Sequence, residues 1–175
     1  MEKFCKSKAE QLPSDATKVK MLEALHDYFI KKDRGYSFEQ FAAYIVACMD
    51  EAIVDVDVTR PFKDGGFDAI GRYKIFKNVE NSVYVEFFVQ AKCYSPNNPV
   101  IVSDTARLIS RLKNRQFGIL VTTSYIATQA YQEILNDGHT IVIINGKDIM
   151  EYIFNELEIS DAVALENWLN ANFAE

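Results

Sequence analysis

Two rhythms of apolar and polar residues run through this chain. From Thr17 to about Lys31 the apolar positions Met21, Leu22, Leu25, Tyr28 and Phe29 recur at helical spacing, which predicts an amphipathic helix that Arg34-Gly35 breaks. Ser37 is placed to cap a second helix, whose inner face is Phe38, Phe41, Ala42, Ile45, Val46 and Met49. The period then drops to two: IVDVDVTR reads as a strand, PFKDGG as a turn, and FDAIGRYKIF and SVYVEFFVQAKCY as two further strands joined by KNVENS. A helix capped by Ser103 or Asp104 runs to about Arg115, with Ala106, Leu108, Ile109 and Leu112 apolar. FGILVTTS is a continuous apolar run, as in a strand covered on both faces. A helix (Ala127–Leu135), the strand TIVII, a turn at Asn145-Gly146 and two helices complete the order α-α-β-β-β-α-β-α-β-α-α, an α/β mixed sheet flanked by helices.

No linker, low-complexity tract or repeat divides the chain, which reads as one domain: an N-terminal helical segment (1–35), a core (36–153) and an acidic C-terminal helix (154–175). No apolar run approaches the roughly 20 residues of a membrane helix, and the N-terminus lacks a signal-peptide core, so a cytoplasmic protein is expected. Cys5, Cys48 and Cys93 lie more than forty residues apart and read as reduced thiols; His26 and His139 are isolated, and no zinc-ligand spacing exists.

Charge first argues against nucleic acid, since the net value is −6. Its distribution reverses the argument. Glu151, Glu156, Glu158, Asp161, Glu166 and Glu175 fall in a tail without Lys or Arg and account for the whole excess. Within the neutral remainder, Thr105 to Gly118 carries Arg107, Arg111, Lys113 and Arg115 and no acid. Arg107 and Arg111 share one face of the predicted helix, with Arg115 one turn on. The set is either a clamp for DNA phosphates or a solvated basic face; the scarcity of positive charge elsewhere favours the clamp.

One strand carries unusual chemistry. In FVQAKCY, residues 88–94, Gln90 and Lys92 point to the same face, opposite Val83, Val85, Phe87, Val89, Ala91 and Cys93. The preceding strand starts at Asp68, after Gly65 and Gly66, and a hairpin brings Asp68 beside Gln90 and Lys92. A carboxylate and a second oxygen ligand suit Mg²⁺, and a lysine beside them suits phosphodiester hydrolysis. The plainer reading is a surface strand and a turn aspartate.

DGGFDAIG, then QAK twenty-two residues after Asp68, then FGILVTTS resembles the Mrr-type restriction endonucleases of the PD-(D/E)xK nuclease superfamily, most closely those with a QAK variant. The similarity runs from about Phe38 to Ile153. It implies a restriction-endonuclease-like fold and a Mg²⁺-dependent DNA endonuclease acting on foreign, modified or unmodified, DNA. It further implies that Asp68 and Gln90 bind metal with the Ala91 carbonyl, that Lys92 is the catalytic lysine, and that Glu39 faces the site from the preceding helix. Glu39 reads equally well as a solvated helix acid. Asp64 reads as a turn residue first. Thr122, Thr123 and Ser124 either reach phosphate or cap their strand. The partner is double-stranded DNA. One site cuts one strand, so a homodimer or second copy is implied for double-strand cleavage. Recognition of a modified base falls to another chain, a segment outside these residues, or a loop such as SPNNPVIV. The alternatives are a structure-selective junction or repair nuclease and a catalytically silent DNA-binding or assembly subunit. Trp168 and Phe173 mark either a docking surface on the tail or simple packing.

Overall fold

The computed structural model describes residues 4–59, 67–113 and 116–174. The elements are α1 (Lys8–Gln11), α2 (Ala16–Asp33), α3 (Phe38–Met49), β1 (Ile53–Val58), β2 (Ala69–Lys74), β3 (Tyr84–Lys92), α4 (Val102–Ile109), β4 (Phe117–Thr122), α5 (Thr128–Asn136), β5 (Ile141–Ile144), α6 (Gly146–Asn155) and α7 (Ala162–Phe173). The strands form one sheet in the order β1-β2-β3-β4-β5. β1, β2 and β3 pair antiparallel, and β3, β4 and β5 pair parallel. The expected mixed sheet flanked by helices is the observed architecture, with α1 as an addition.

Local chemistry explains most boundaries. The Asp15 carboxylate accepts the Thr17 and Lys18 amides and starts α2. At its end Arg34 adopts φ 61°, and the Arg34 and Gly35 amides close on Ile30 O and Phe29 O. Asn145 does not make a turn, as expected, but caps α6: its side chain accepts the Lys147 and Asp148 amides, and Asp148 returns a bond to the Asn145 amide. Ser37 precedes α3, yet its hydroxyl makes no cap bond; the Ser37 amide instead donates to Asp33.

The sheet is covered on both sides. One face (Ala69, Phe87, Val89, Ile119, Val121) packs with α2, α3, α6 and α7, and Phe29 lies fully buried against Phe38, Phe41 and Phe173. Full burial of such a ring stabilises by about 1.5–3 kcal/mol. Gly71 is required here, because a Cβ would lie 2.3 Å from the Phe87 ring. Trp168 packs its ring on Tyr44 and Phe173, so the tail helix belongs to this core. The other face meets α4 and α5 through Leu108, Leu120, Ala130 and Tyr131, with Phe88 and Tyr94 against them. β4 is thus buried on both faces, as its unbroken apolar run requires.

The basic helix is shorter than expected. α4 begins at Val102, capped from its third residue by Asp104, whose carboxylate accepts the Ile101 amide at 3.1 Å. It ends at Ile109, where the Ser110 hydroxyl bonds back to Arg107 O and competes with helix continuation. Arg111 therefore lies in the turn beyond the helix, not on a shared helical face with Arg107. Among the described residues no helix is long and apolar enough to cross a membrane.

Candidate active site at the end of the central strand

β3 outruns β2. The last β2–β3 pair is Ala69 with Val89, whereas β4 continues beside β3 as far as Lys92. Asp68 stands where the two strands part. Its amide donates to Val89 O at 3.0 Å, and its Oδ2 accepts the Ala91 amide at 2.7 Å. The expected convergence of Asp68 with the QAK segment is therefore present, fastened by a backbone hydrogen bond. Burial pushes the Asp68 carboxyl above the usual carboxylate range, opposed by the Ala91 amide and by the charges of Lys92, Arg107 and Arg111. Ala91 turns its amide toward Asp68, so its carbonyl leaves the strand on the same side.

Gln90 corrects the expectation of a polar outer face. The face that holds Phe88 and Gln90 is roofed by α4 and α5, and Gln90 is only 3% exposed. Its Oε1 is buried with no hydrogen-bond partner. Lys92 is half-buried; its Nζ lies 3.5 Å from Asp104 Oδ1, and Tyr94 donates its hydroxyl to the same oxygen at 3.0 Å. Desolvation, followed by this contact with Asp104, pushes the Tyr94 phenol up to about 12.

Glu39 sits in the first turn of α3 and is half-buried. Burial, then the negative charges of Asp68 and Asp33, raise its carboxyl to about 7. Among the described residues no group of three or more Asp, Glu, His or Cys side chains could hold a metal.

The basic residues divide. Arg107 and Arg111 both act on the Asp68 charge. The Arg111 guanidinium lies 5.6 Å above the Phe67 ring, which stacks on Phe88 at 4.0 Å. Lys113 is exposed, and its amide donates to Gln116 Oε1. Arg115 and Asp64 lie outside the described residues. Thr123 and Ser124 are fully buried, their hydroxyls donating to Tyr94 O at 2.6 Å and Asn98 O at 2.5 Å. With Thr122, which donates to Lys92 O at 2.9 Å, they fix the chain that leaves β3.

Asp104 and Tyr94 also lie against Lys92, and Phe67 against Arg111. Asp104 was legible only as a helix cap.

The fold joins an aspartate to a QAK segment at the end of the central strand, and the charge of that aspartate acts on an acid of α3. The restriction endonuclease family model Mrr_cat matches residues 30–153, and the chain belongs to that family. Among solved structures, the chain is 36% identical to the DNA modification-dependent restriction endonuclease AspBHI, covering 97% of this chain and 43% of that one at a TM-score of 0.82. It is 25% identical to the MspJI restriction endonuclease in complex with a 27-mer oligonucleotide, covering 100% of this chain and 40% of that one, again at 0.82. The chain thus spans less than half the length of either. No curated protein matches it.

Proposed function

We propose that this domain hydrolyses phosphodiester bonds of double-stranded DNA with Mg²⁺, as the cutting module of a modification-dependent restriction system. The observation that carries the reading is the buried, unpartnered Oε1 of Gln90, on the residue next to the Ala91 that Asp68 binds. A polar atom left so costs about 1–3 kcal/mol, and a hard cation with oxygen ligands would satisfy it. Asp68, Gln90 and the Ala91 carbonyl would hold the ion, with Glu39 as a fourth donor once ionised. When bound, such an ion supplies Lewis acidity, making water a better nucleophile and offsetting charge that develops on the phosphate.

The chain's own groups do the rest. The Lys92 ammonium, at the end of β3, stabilises the non-bridging oxygens of the scissile phosphate and orients the attacking water. Arg107, Arg111, Lys113 and Arg115 neutralise neighbouring phosphates and set the duplex in register without reading sequence. Base recognition is assigned to a separate domain or subunit, consistent with the larger size of AspBHI and MspJI. Double-strand cleavage is assigned to a homodimer or a second bound copy.

The test is plasmid cleavage, using unmodified, 5-methylcytosine and 5-hydroxymethylcytosine DNA, with and without Mg²⁺, and with Lys92→Ala as control. Nicking or linearisation that needs both Mg²⁺ and Lys92 supports the proposal. Cleavage undiminished by chelation, or by Lys92→Ala, would remove it.

A further inference from the structure

Lys92 has a four-carbon stem and a compact charge, and something must aim it. Nothing on its own strand does so: Gln90 is neutral, and Ala91 spends its amide on Asp68. Among the described residues the acid within ion-pair distance of Lys92 comes from α4. Asp104 Oδ1 lies 3.5 Å from Lys92 Nζ, and the two side chains are 15% and 18% exposed, so solvent screens the pair far less than a surface pair. Asp104 is itself held at both oxygens. Oδ2 accepts the Ile101 amide at 3.1 Å, which ties it to the helix start, and Oδ1 accepts the Tyr94 hydroxyl at 3.0 Å. The Lys92 ammonium also lies 5.9 Å from the Tyr94 ring centroid.

We propose that Asp104, braced by Tyr94 and the Ile101 amide, is a positioning residue that aims the Lys92 ammonium at the scissile phosphate. The inference rests on the reading of Lys92 as the catalytic lysine. The 3.5 Å separation matters. A tight charge-assisted bond closes to about 2.7–2.9 Å, whereas this looser contact orients the ammonium and leaves donors for a second acceptor. Lysine has three. The helix that carries Arg107 thereby also sets the lysine, so a duplex seated on the arginines meets an ammonium already oriented.

Two substitutions separate aim from capping. Asp104→Asn keeps an acceptor for the Ile101 amide and removes the charge. Asp104→Glu keeps the charge and suits the third position of a capped helix. Asp104→Asn should slow single-turnover cleavage at saturating DNA by about 10- to 100-fold, the usual cost of losing an orienting partner. DNA affinity without metal should stay near wild type, melting temperature should fall only by the small cost of the lost ion pair, and Asp104→Glu should recover most of the rate. A denaturation cycle of Lys92→Met, Asp104→Asn and the double variant reads the contact without any cleavage, and non-additive stabilities are expected.

An additive cycle would overturn the contact. Wild-type turnover in Asp104→Asn would overturn the role, as would an Asp104→Glu variant as slow as Asp104→Asn. A non-additive cycle in a protein whose wild type cuts none of the plasmids would remove the nuclease reading and the aiming role with it, leaving only an ion pair.

Discussion

Asp68 Oδ2 and the Ala91 amide, 2.7 Å apart, join the end of one strand to the end of its neighbour at the point where they separate. The bond engages one carboxylate oxygen and fixes the Ala91 peptide, whose carbonyl leaves the strand on the same side. One contact sets two of the oxygens assigned to the ion.

Asp68→Asn should therefore separate chemistry from folding. An amide oxygen still accepts the Ala91 amide, and the cost of burying a charge disappears. Cleavage should fall below detection, while the melting temperature stays equal to wild type or rises by a few degrees. A plasmid assay beside a thermal melt checks both. Residual activity above about one part in a hundred would take Asp68 out of the ion site.

Glu39 gives the protein a pH dependence near neutrality. Its folded carboxyl is raised from 4.5 to about 7, so between those values the folded state holds a proton that the unfolded chain has released. Its contribution to stability is fully present below 4.5 and is lost as pH rises through about 7. A bound cation acts in the opposite sense, favouring the carboxylate. Mg²⁺ affinity should strengthen as pH rises from 6 to about 8, with proton release on binding. Calorimetry at pH 6.5 in two buffers of different ionisation enthalpy measures that release; Glu39→Gln should abolish it.

Gln90 should trade stability for the proposed chemistry. Gln90→Met keeps the volume and removes the buried, unpartnered Oε1. The variant should gain on the order of 1 kcal/mol in stability and lose Mg²⁺ binding and cleavage. Gln90→Glu should tighten Mg²⁺ binding in the DNA-free protein, since a second full carboxylate joins Asp68. Denaturant unfolding and Mg²⁺ titration without DNA check the pair. Weaker folding of the Met variant would mean that the amide already has a use.

The basic residues and the buried hydroxyls should respond differently to salt. Reversing the charge of Arg107 or Arg111 should flatten the slope of log affinity against log salt by about one unit per lost phosphate contact. Thr123→Val leaves Tyr94 O without its hydroxyl donor and should cost about 1–3 kcal/mol of stability, yet leave the salt slope unchanged. Anisotropy titrations across a salt series compare them.

Much of the site was readable because it is local. Period two sorts Val89 and Gln90 to opposite faces, and a hairpin must return Asp68 to the end of β3. Burial on the second face was not readable, because it depends on α4 and α5 folding back over Phe88 and Gln90. The polar face is an inner face. The end of α4 was hidden for a related reason: the apolar Leu112 continues a helical period, but Ser110 turns the chain toward β4. α1, at four residues, is too short to nucleate alone. Its Gln11 is tied to the Ile126 backbone through both ends of its amide, a contact 115 residues away that no local pattern records.

The parting of β2 from β3 bears on the order in which the molecule assembles. Asp68 is twenty-two residues from Gln90, and Lys92 is thirty from Thr122, its partner across the parallel ladder. Loop closure over both distances precedes any contact that rewards it, and parallel pairing is slow for that reason. The proposed ion site would thus come into being only when the central ladder is complete to its last rung. An ion that binds there acts on the finished molecule: it holds the native state back from unfolding and offers nothing to a chain still searching for its fold.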